Sequence, residues 1–92
     1  MSEQYNKELY DYIDTYQRNA IEDCKRGRSI SDIKFGLGFY LQELWGTRIN
    51  NQVSNCQFNE YWYDVDENKI KIRWSLYTPK KQRFEYEYNL VD

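Results

Sequence analysis

The chain has 92 residues, of which 40% are hydrophobic, 18% aromatic and 30% charged, and its net charge is −2. This length suits a single domain over residues 1–92, and this composition is that of a globular chain rather than a disordered one. The mixed charge excludes an acidic solvating tail and leaves no segment basic enough to demand nucleic acid as a partner.

The first predicted element is an amphipathic helix over residues 3–26. Its apolar residues recur at three- and four-residue spacing and form one stripe, which consists of Tyr5, Leu9, Tyr12, Ile13, Tyr16, Ala20 and Cys24. The opposite face carries acids and bases at i,i+4 spacing, as is typical of an exposed helix face, in the ladders Glu3-Lys7-Asp11 and Asp14-Arg18-Glu22. Gly27, after two basic residues in the last turn, predicts the end of this helix.

A second helix is predicted from the N-cap Ser29 to Gly46, with Asp32 as an acidic variant of the capping-box residue. Its main apolar stripe consists of Ile30, Ile33, Leu37, Tyr40, Leu41 and Leu44. Phe35 and Phe39 add a second stripe, so most of the circumference is apolar and we expect burial on two sides. The second side is covered either by the first helix or by another chain, which would be a homodimer mate or a target.

Gly36 and Gly38 lie inside the second predicted helix, where each costs about 1 kcal/mol relative to alanine. A phosphate-binding loop needs a preceding strand and further glycines, so this Gly-x-Gly does not indicate nucleotide binding. We interpret the two glycines as sites of close backbone approach, either to the first helix or to a partner.

Residues 47–55 are predicted to form a polar connection, and three strands follow at about 56–65, 69–77 and 83–91. Alternating apolar and polar residues give the sheet one aromatic face and one charged face. The inner face is expected to consist of Tyr61, Tyr63, Val65, Ile70, Ile72, Trp74, Leu76, Phe84, Tyr86, Tyr88 and Leu90. The order α-α-β-β-β therefore predicts a two-layer α+β sandwich, in which two helices cover a three-stranded antiparallel β-meander.

Apolar matching and charge matching select the same register for the first hairpin. The expected pairs are Val65 with Ile70, Tyr63 with Ile72, Tyr61 with Trp74, and Asp64 with Lys71. The second hairpin leaves two registers open, with Trp74 opposite either Phe84 or Tyr86. The first of these is favoured because it also creates two opposite-charge pairs, Lys71 with Glu87 and Arg73 with Glu85.

The longest apolar stretch, from Phe35 to Leu41, is too short to span a membrane. Cys24 and Cys56 stand in unrelated contexts, which fits neither a disulfide framework nor a metal site. The N-terminal residues lack the pattern of a signal peptide, so we expect a cytoplasmic protein with free thiols.

Residues with AT-rich codons outnumber those with GC-rich codons, which suggests an AT-rich genome such as that of a low-GC bacterium or its phage.

The chain contains no histidine, which removes the commonest general base and the commonest zinc ligand. Cys24 has basic neighbours but belongs to the helix stripe, so we interpret it as a buried structural thiol. The carboxylates on the strands, Glu60, Asp64, Glu85 and Glu87, fit a solvated sheet face. We therefore expect no enzyme activity, no metal and no cofactor.

The outer sheet face presents an unusual aromatic residue, Trp62, with Arg73 across the strand and Phe58 and Tyr77 nearby. Exposed tryptophan beside arginine is typical of a protein interface, although a cation–π contact on the sheet surface explains the pair equally well. With Phe35 and Phe39 of the second helix, these residues form the predicted partner-binding set. The expected function is a small protein–protein interaction module, an accessory protein of a phage or mobile element that inhibits or regulates a host factor.

The alternative hypothesis is a nucleic-acid-binding module. Trp62 and Arg73 would supply a stacking platform, and Lys25, Arg26 and Arg28 at the helix junction would contact phosphates. The acidic residues on the same sheet face would repel the nucleic acid backbone, which makes protein binding the favoured hypothesis.

Overall fold

The computed structural model describes residues 7–26, 29–52, 57–77 and 81–90. Helix α1 spans Lys7–Cys24 and helix α2 spans Ile30–Glu43, followed by a π-helical turn at Leu44–Arg48 and a short helix α3 at Ile49–Gln52. Strands β1, β2 and β3 span Gln57–Val65, Lys69–Tyr77 and Lys81–Asn89 and form one antiparallel sheet in the order β1-β2-β3. The predicted α+β fold and its element order are confirmed.

Some sequence predictions fall outside the described residues. These concern Glu3, Tyr5, Gly27, Arg28, Cys56, the turn at residues 78–80 and the end of the third strand at Val91.

Helix α2 begins as predicted but does not end as predicted. The Ser29 side chain accepts a hydrogen bond from the backbone N–H of Asp32 at 3.1 Å, which is the expected cap. Gly46 does not stop the helix, because the chain continues through the π-helical turn into α3. The wider i→i+5 turn brings Ile49 over Leu44, and both side chains are buried. The prediction of a polar connection over 47–55 is therefore wrong for its first half, since Ile49 belongs to the core.

The two helices lie on one face of the sheet. Helix α1 packs along β3, where the rings of Tyr10 and Tyr86 stack with their centroids 4.7 Å apart. Helix α2 packs along β1, where the Tyr63 hydroxyl donates to the Lys34 carbonyl oxygen at 3.3 Å. These contacts determine the packing order of the helices, which the sequence leaves open.

Strand β1 contains a β-bulge that the sequence analysis misses. Its pairing with β2 matches the prediction from Val65 back to Trp62. Before Trp62, two residues of β1, Glu60 and Tyr61, lie opposite the single residue Trp74 of β2. Glu60 adopts φ 55°, a left-handed conformation that costs a non-glycine residue roughly 1–2 kcal/mol. The predicted pairing of Tyr61 with Trp74 is wrong, and Tyr61 is 60% exposed instead of lining the core.

Because of the extra residue in the bulge, the side chains at the start of β1 lie on the opposite face of the sheet from the one predicted. Phe58, expected on the outer face, lies opposite Leu76 and stacks on the buried ring of Trp45 with centroids 5.0 Å apart. Phe58 therefore belongs to the inner layer and does not contribute to the outer aromatic surface.

The second hairpin adopts the favoured register. Trp74 lies opposite Phe84, and their rings stack with centroids 4.7 Å apart. The cross-strand pairs of Lys71 with Glu87 and Arg73 with Glu85 are also present in the ladder. The apolar and charged faces of β2 and β3 thus alternate as predicted.

The core lies between the helices and the sheet. It consists of Leu9, Ile13, Ala20, Ile21, Ile33, Leu37, Leu41, Leu44, Trp45, Ile49, Val65, Ile70, Ile72, Trp74, Leu76, Phe84, Tyr86 and Tyr88. Of the predicted inner-face residues, Tyr63 and Leu90 are only partly buried.

Gln17 is fully buried within the apolar face of α1. Its side-chain Nε2 donates to the Tyr88 hydroxyl at 2.9 Å, and that hydroxyl donates to Asp14 Oδ1 at 2.7 Å. Burial, together with the hydrogen bond to Asp14, raises the pKa of the Tyr88 phenol above its ordinary value. The protonated hydroxyl therefore links α1 to β3 as both donor and acceptor.

Candidate interaction surfaces

Two aromatic surfaces lie on opposite layers of the molecule. The first, here called the sheet surface, is on the outer face of the sheet and consists of Trp62, Lys71, Arg73, Glu85 and Glu87, which line a groove of about 290 Å³. Trp62 is 40% exposed, and the Arg73 guanidinium carbon lies 4.3 Å from its ring centroid. The cation–π contact is present, yet a large part of the indole remains open to solvent.

The charges of the sheet surface are unevenly paired. The outer carboxylates have partners, since Glu87 binds Lys69 at 2.6 Å and Glu85 binds Arg83 at 3.7 Å. Lys69 lowers the pKa of Glu87 through a hydrogen bond and its charge. Among the described residues, Lys71 and Arg73 have no ion-pair partner within 4.0 Å, so the central strand presents two open cations. Lys71 is not in the predicted partner-binding set, since its two neighbours in the ladder, Asp64 and Glu87, are acidic.

The predicted acidic candidates on β1 are occupied by structural contacts. Glu60 accepts a hydrogen bond from Ser75 Oγ at 2.8 Å and forms an ion pair with Lys81 at 2.8 Å. Lys81, and then Ser75, lowers the pKa of the Glu60 carboxyl. Asp64 binds Lys34 of α2 at 3.3 Å. Both carboxylates are therefore engaged in ion pairs with lysine side chains.

Tyr77, a predicted member of the partner-binding set, stands apart from the tryptophan–arginine pair. It lies opposite Lys81 near the end of β2 and is partly buried. It stands four positions after Arg73 along the strand, a distance of about 13 Å. The structure thus brings Trp62 and Arg73 together without Tyr77.

The second surface, here called the helix surface, is on α2 and consists of Phe35, Gly38, Phe39, Gln42 and Tyr63, which line a groove of about 140 Å³. Phe35 is 70% exposed and Phe39 is 61% exposed, and their rings meet edge to face with centroids 5.0 Å apart. Helix α1 therefore does not cover them, and the interpretation in which it does is wrong.

The two glycines of α2 permit close approach on two different sides. A Cβ atom at Gly36 would lie 3.3 Å from Cys24 Sγ, so this glycine faces the first helix, as one of the two interpretations expected. A Cβ atom at Gly38 would lie 2.6 Å from the Tyr63 hydroxyl oxygen. Gly38 thus allows β1 to approach α2 closely, a contact that the sequence analysis did not identify.

The basic helix junction is largely neutralised by neighbouring acids. Lys25 binds Glu22 at 3.3 Å, and Arg26 lies 4.0 Å from Asp23. Burial, and then the charge of Asp23, raises the pKa of the partly buried Cys24 thiol, so its basic neighbours do not activate it. This junction offers neither a reactive thiol nor an open cluster of positive charge within the described residues.

Two kinds of site are absent from the described part of the chain. It contains no group of three or more histidine, cysteine, aspartate or glutamate residues able to hold a metal ion. No helix in this part of the chain is long and apolar enough to cross a membrane.

Comparisons of the chain with models of protein families, with curated proteins and with solved structures find no match.

Proposed function

We propose that this chain is a non-catalytic protein-binding module that acts through its exposed aromatic surfaces. The observation that supports this proposal most directly is the exposure of Phe35 and Phe39, which touch each other on α2 while most of each ring faces solvent. Taking about 200 Å² for each ring, their exposed surface amounts to roughly 260 Å². Covering it would contribute up to about 6 kcal/mol at 25 cal/mol per Å².

The sheet surface supports the same proposal from the other layer. Tryptophan and arginine are the residue types most enriched at the energetic centres of protein interfaces. The cation–π contact fixes the Trp62 ring against Arg73, so little side-chain entropy would be lost when a partner packs on it. Open cations on β2 beside carboxylates on β3 favour a partner that carries both signs of charge.

Nucleic acid binding is the second candidate, and the open cations Lys71 and Arg73 beside an exposed indole favour it. The carboxylates of Asp64, Glu85 and Glu87 share or border this face, and they would repel a phosphate backbone. Binding to nucleic acid would also weaken steeply with salt, whereas binding to protein through aromatic rings would not.

The codon signature of the sequence extends the proposal to a biological setting. We place the protein in the cytoplasm of a low-GC bacterium, as an accessory protein of a phage or mobile element that inhibits or regulates a host factor. Size and composition support this setting by analogy only.

The experiment is a quantitative pull-down with the tagged chain from lysate of a low-GC bacterium, with and without nuclease, read by mass spectrometry. The bait variants are Phe39→Ala and Trp62→Ala, and Thr15→Ala on the exposed side of α1 is the matched control. We expect a protein that survives nuclease and salt and is depleted with one aromatic variant but not with the control. Capture that is lost with nuclease would replace this proposal with the second candidate.

A further inference from the structure

We infer that the partner protein docks as an extended, basic peptide segment on the outer edge of β1, with one of its side chains in the groove of the helix surface. This inference rests on the proposed function and deepens it, because it names the chemical form in which the partner is bound. A second copy of the chain, or a folded surface that contacts only the aromatic rings, would be the contrary outcomes of the test.

The outer edge of β1 offers the backbone groups that such a segment needs. Strand β1 lies at one edge of the sheet, and every second residue of an edge strand directs its N–H and C=O away from the neighbouring strand. Among the described residues, no hydrogen bond outside the sheet ladder reaches the backbone of β1. Backbone donors and acceptors of this kind bind an extended peptide by strand addition.

The β-bulge confines strand addition to the second half of β1. Glu60 and Tyr61 interrupt the ladder, and a bulge twists an edge away from regular pairing. From Trp62 to Val65 the pairing with β2 is regular. A segment that adds here pairs with four residues of β1, over a length of about 13 Å.

The groove of the helix surface belongs to the same part of β1. Tyr63 forms its wall on the strand, and its volume of about 140 Å³ holds several water molecules and therefore admits an apolar side chain. An extended segment directs alternate side chains to the two faces of a sheet. The residue opposite Tyr63 would enter the groove below the exposed rings of Phe35 and Phe39, and its two neighbours would lie on the face of Trp62.

One open charge beside the groove favours a basic segment. Asp32 lies three positions before Phe35 on the same side of α2, is exposed and forms no ion pair within the described part of the chain. The charges between α2 and β1 are already paired, Lys34 with Asp64 at 3.3 Å. A lysine or arginine of the segment would therefore complement Asp32. Strand β1 contains neither residue type, so a second copy that added its own β1 would not supply this charge.

Backbone pairing compensates for the small apolar area of the helix surface. The rings of Phe35 and Phe39 alone give too little area for a stable interface between folded domains. Strand addition over four residues supplies about four further hydrogen bonds, because two of the four residues each offer one donor and one acceptor. A contact of this size is typical of weak, transient binding.

The probe is a phage-displayed library of random peptides of about eight residues, long enough to cover the paired part of β1, selected on the immobilised chain. We expect the selected peptides to carry an apolar residue for the groove and a lysine or arginine. A synthetic copy of the most frequent peptide should bind with a Kd of roughly 10–100 µM.

The backbone contact is measured with this synthetic peptide. Hydrogen exchange should slow at least about tenfold at two amides, two positions apart, within residues 62–65 of the isotope-labelled chain. N-methyl groups on alternate residues of the peptide should abolish binding at one parity and spare it at the other, since only one parity directs its N–H groups to β1.

Variants of the chain test the side-chain contacts. Phe39→Ala should weaken peptide binding about tenfold, because it removes part of the apolar wall of the groove. Asp32→Asn should weaken it about two- to five-fold at low salt, as for an exposed ion pair. Thr15→Ala on α1 is the matched control and should leave binding unchanged, and circular dichroism verifies that each variant is folded.

Three results would overturn the inference. The first is a selection that yields no peptide sensitive to Phe39→Ala. The second is binding that survives N-methylation at either parity, since the peptide would then not use the edge. The third is slow exchange of the outward amides in the chain without peptide, which would assign this edge to the chain itself.

Strand addition and the proposed function fail in different ways. If the lysate experiment captures a protein through Phe39 but the peptide test is negative, strand addition is refuted and the protein-binding function stands. If peptides bind with the expected parity but no protein is captured from lysate, strand addition stands and the function in binding a host protein is refuted.

Discussion

Replacing Gly38 with alanine tests the close approach of α2 to β1, and Gly36 provides the matched control in the same helix. Both substitutions gain about 1 kcal/mol of helix propensity. They differ in what the new methyl group meets. At Gly36 it meets Cys24 Sγ at 3.3 Å, which a small shift accommodates, whereas at Gly38 it meets the Tyr63 hydroxyl oxygen at 2.6 Å.

The magnitude follows from the displacement that Tyr63 would need. Its hydroxyl must retreat from 2.6 Å to at least 3.4 Å from the new Cβ. This movement breaks the hydrogen bond to the Lys34 carbonyl, worth about 1 kcal/mol, and disturbs packing by about 1–3 kcal/mol. After the propensity gain of about 1 kcal/mol, Gly38→Ala should lower the free energy of unfolding by about 1–3 kcal/mol. Gly36→Ala should raise it by up to about 1 kcal/mol.

The assay is urea unfolding followed by circular dichroism at low micromolar concentration. Tyr63→Phe provides the decisive background because it removes the clashing oxygen and leaves ring carbon Cζ at an ordinary 3.6 Å. In that background only the propensity gain remains, so Gly38→Ala should raise stability by up to about 1 kcal/mol, which gives a coupling energy of about 2–4 kcal/mol. Equal stabilities for the two alanine variants, or an undiminished gap in the phenylalanine background, would show that the Tyr63 hydroxyl does not limit the side chain at position 38.

Three further predictions concern the core network, the bulge and the sheet surface. Tyr88→Phe should lower the free energy of unfolding by about 1–3 kcal/mol, because it leaves the buried Gln17 amide without its acceptor. Urea unfolding measures this loss beside Tyr86→Phe, which removes a hydroxyl that donates to the Tyr10 carbonyl oxygen at 3.4 Å. Glu60 has a lowered pKa through Lys81, so its contribution to stability is present above the unfolded-state pKa and is lost as pH falls through the folded-state pKa. Urea midpoints should therefore fall less between pH 5 and pH 3 in Glu60→Gln than in the wild type, and parallel curves would contradict this. Trp62→Ala should leave the melting temperature nearly unchanged but weaken partner capture, and a large fall in melting temperature would show that the indole is structural.

The sequence predicts β2 and β3 well because their two faces differ in chemistry. Every second residue from Ile70 to Leu76 is apolar, and opposite charges on the other face select the same register. Strand β1 lacks this contrast, since Phe58, Tyr61 and Trp62 are aromatic on both parities. Alternation therefore cannot reveal a bulge there, and no glycine marks the left-handed position that Glu60 occupies.

Other features depend on contacts between residues far apart in the chain. Gln17 interrupts an apolar stripe, and the Nε2 group of its buried side chain finds a partner in Tyr88, 71 residues later. The continuation of α2 past Gly46 follows from the burial of Trp45 and Ile49, which outweighs the local tendency of glycine to end a helix. The sequence identified Phe35 and Phe39 as a second apolar stripe, but their exposure depends on where α1 crosses α2, which helical periodicity does not encode.

One strand supports both candidate surfaces. Trp62 and Tyr63 are consecutive in β1, so the period of two sends the indole to the sheet surface and the phenol to the helix surface. Arg73 stacks on Trp62, whereas the Tyr63 hydroxyl donates to the Lys34 carbonyl oxygen, and the Lys34 side chain pairs with Asp64 beside the sheet surface. Partners on the two surfaces would therefore contact the same strand from opposite sides.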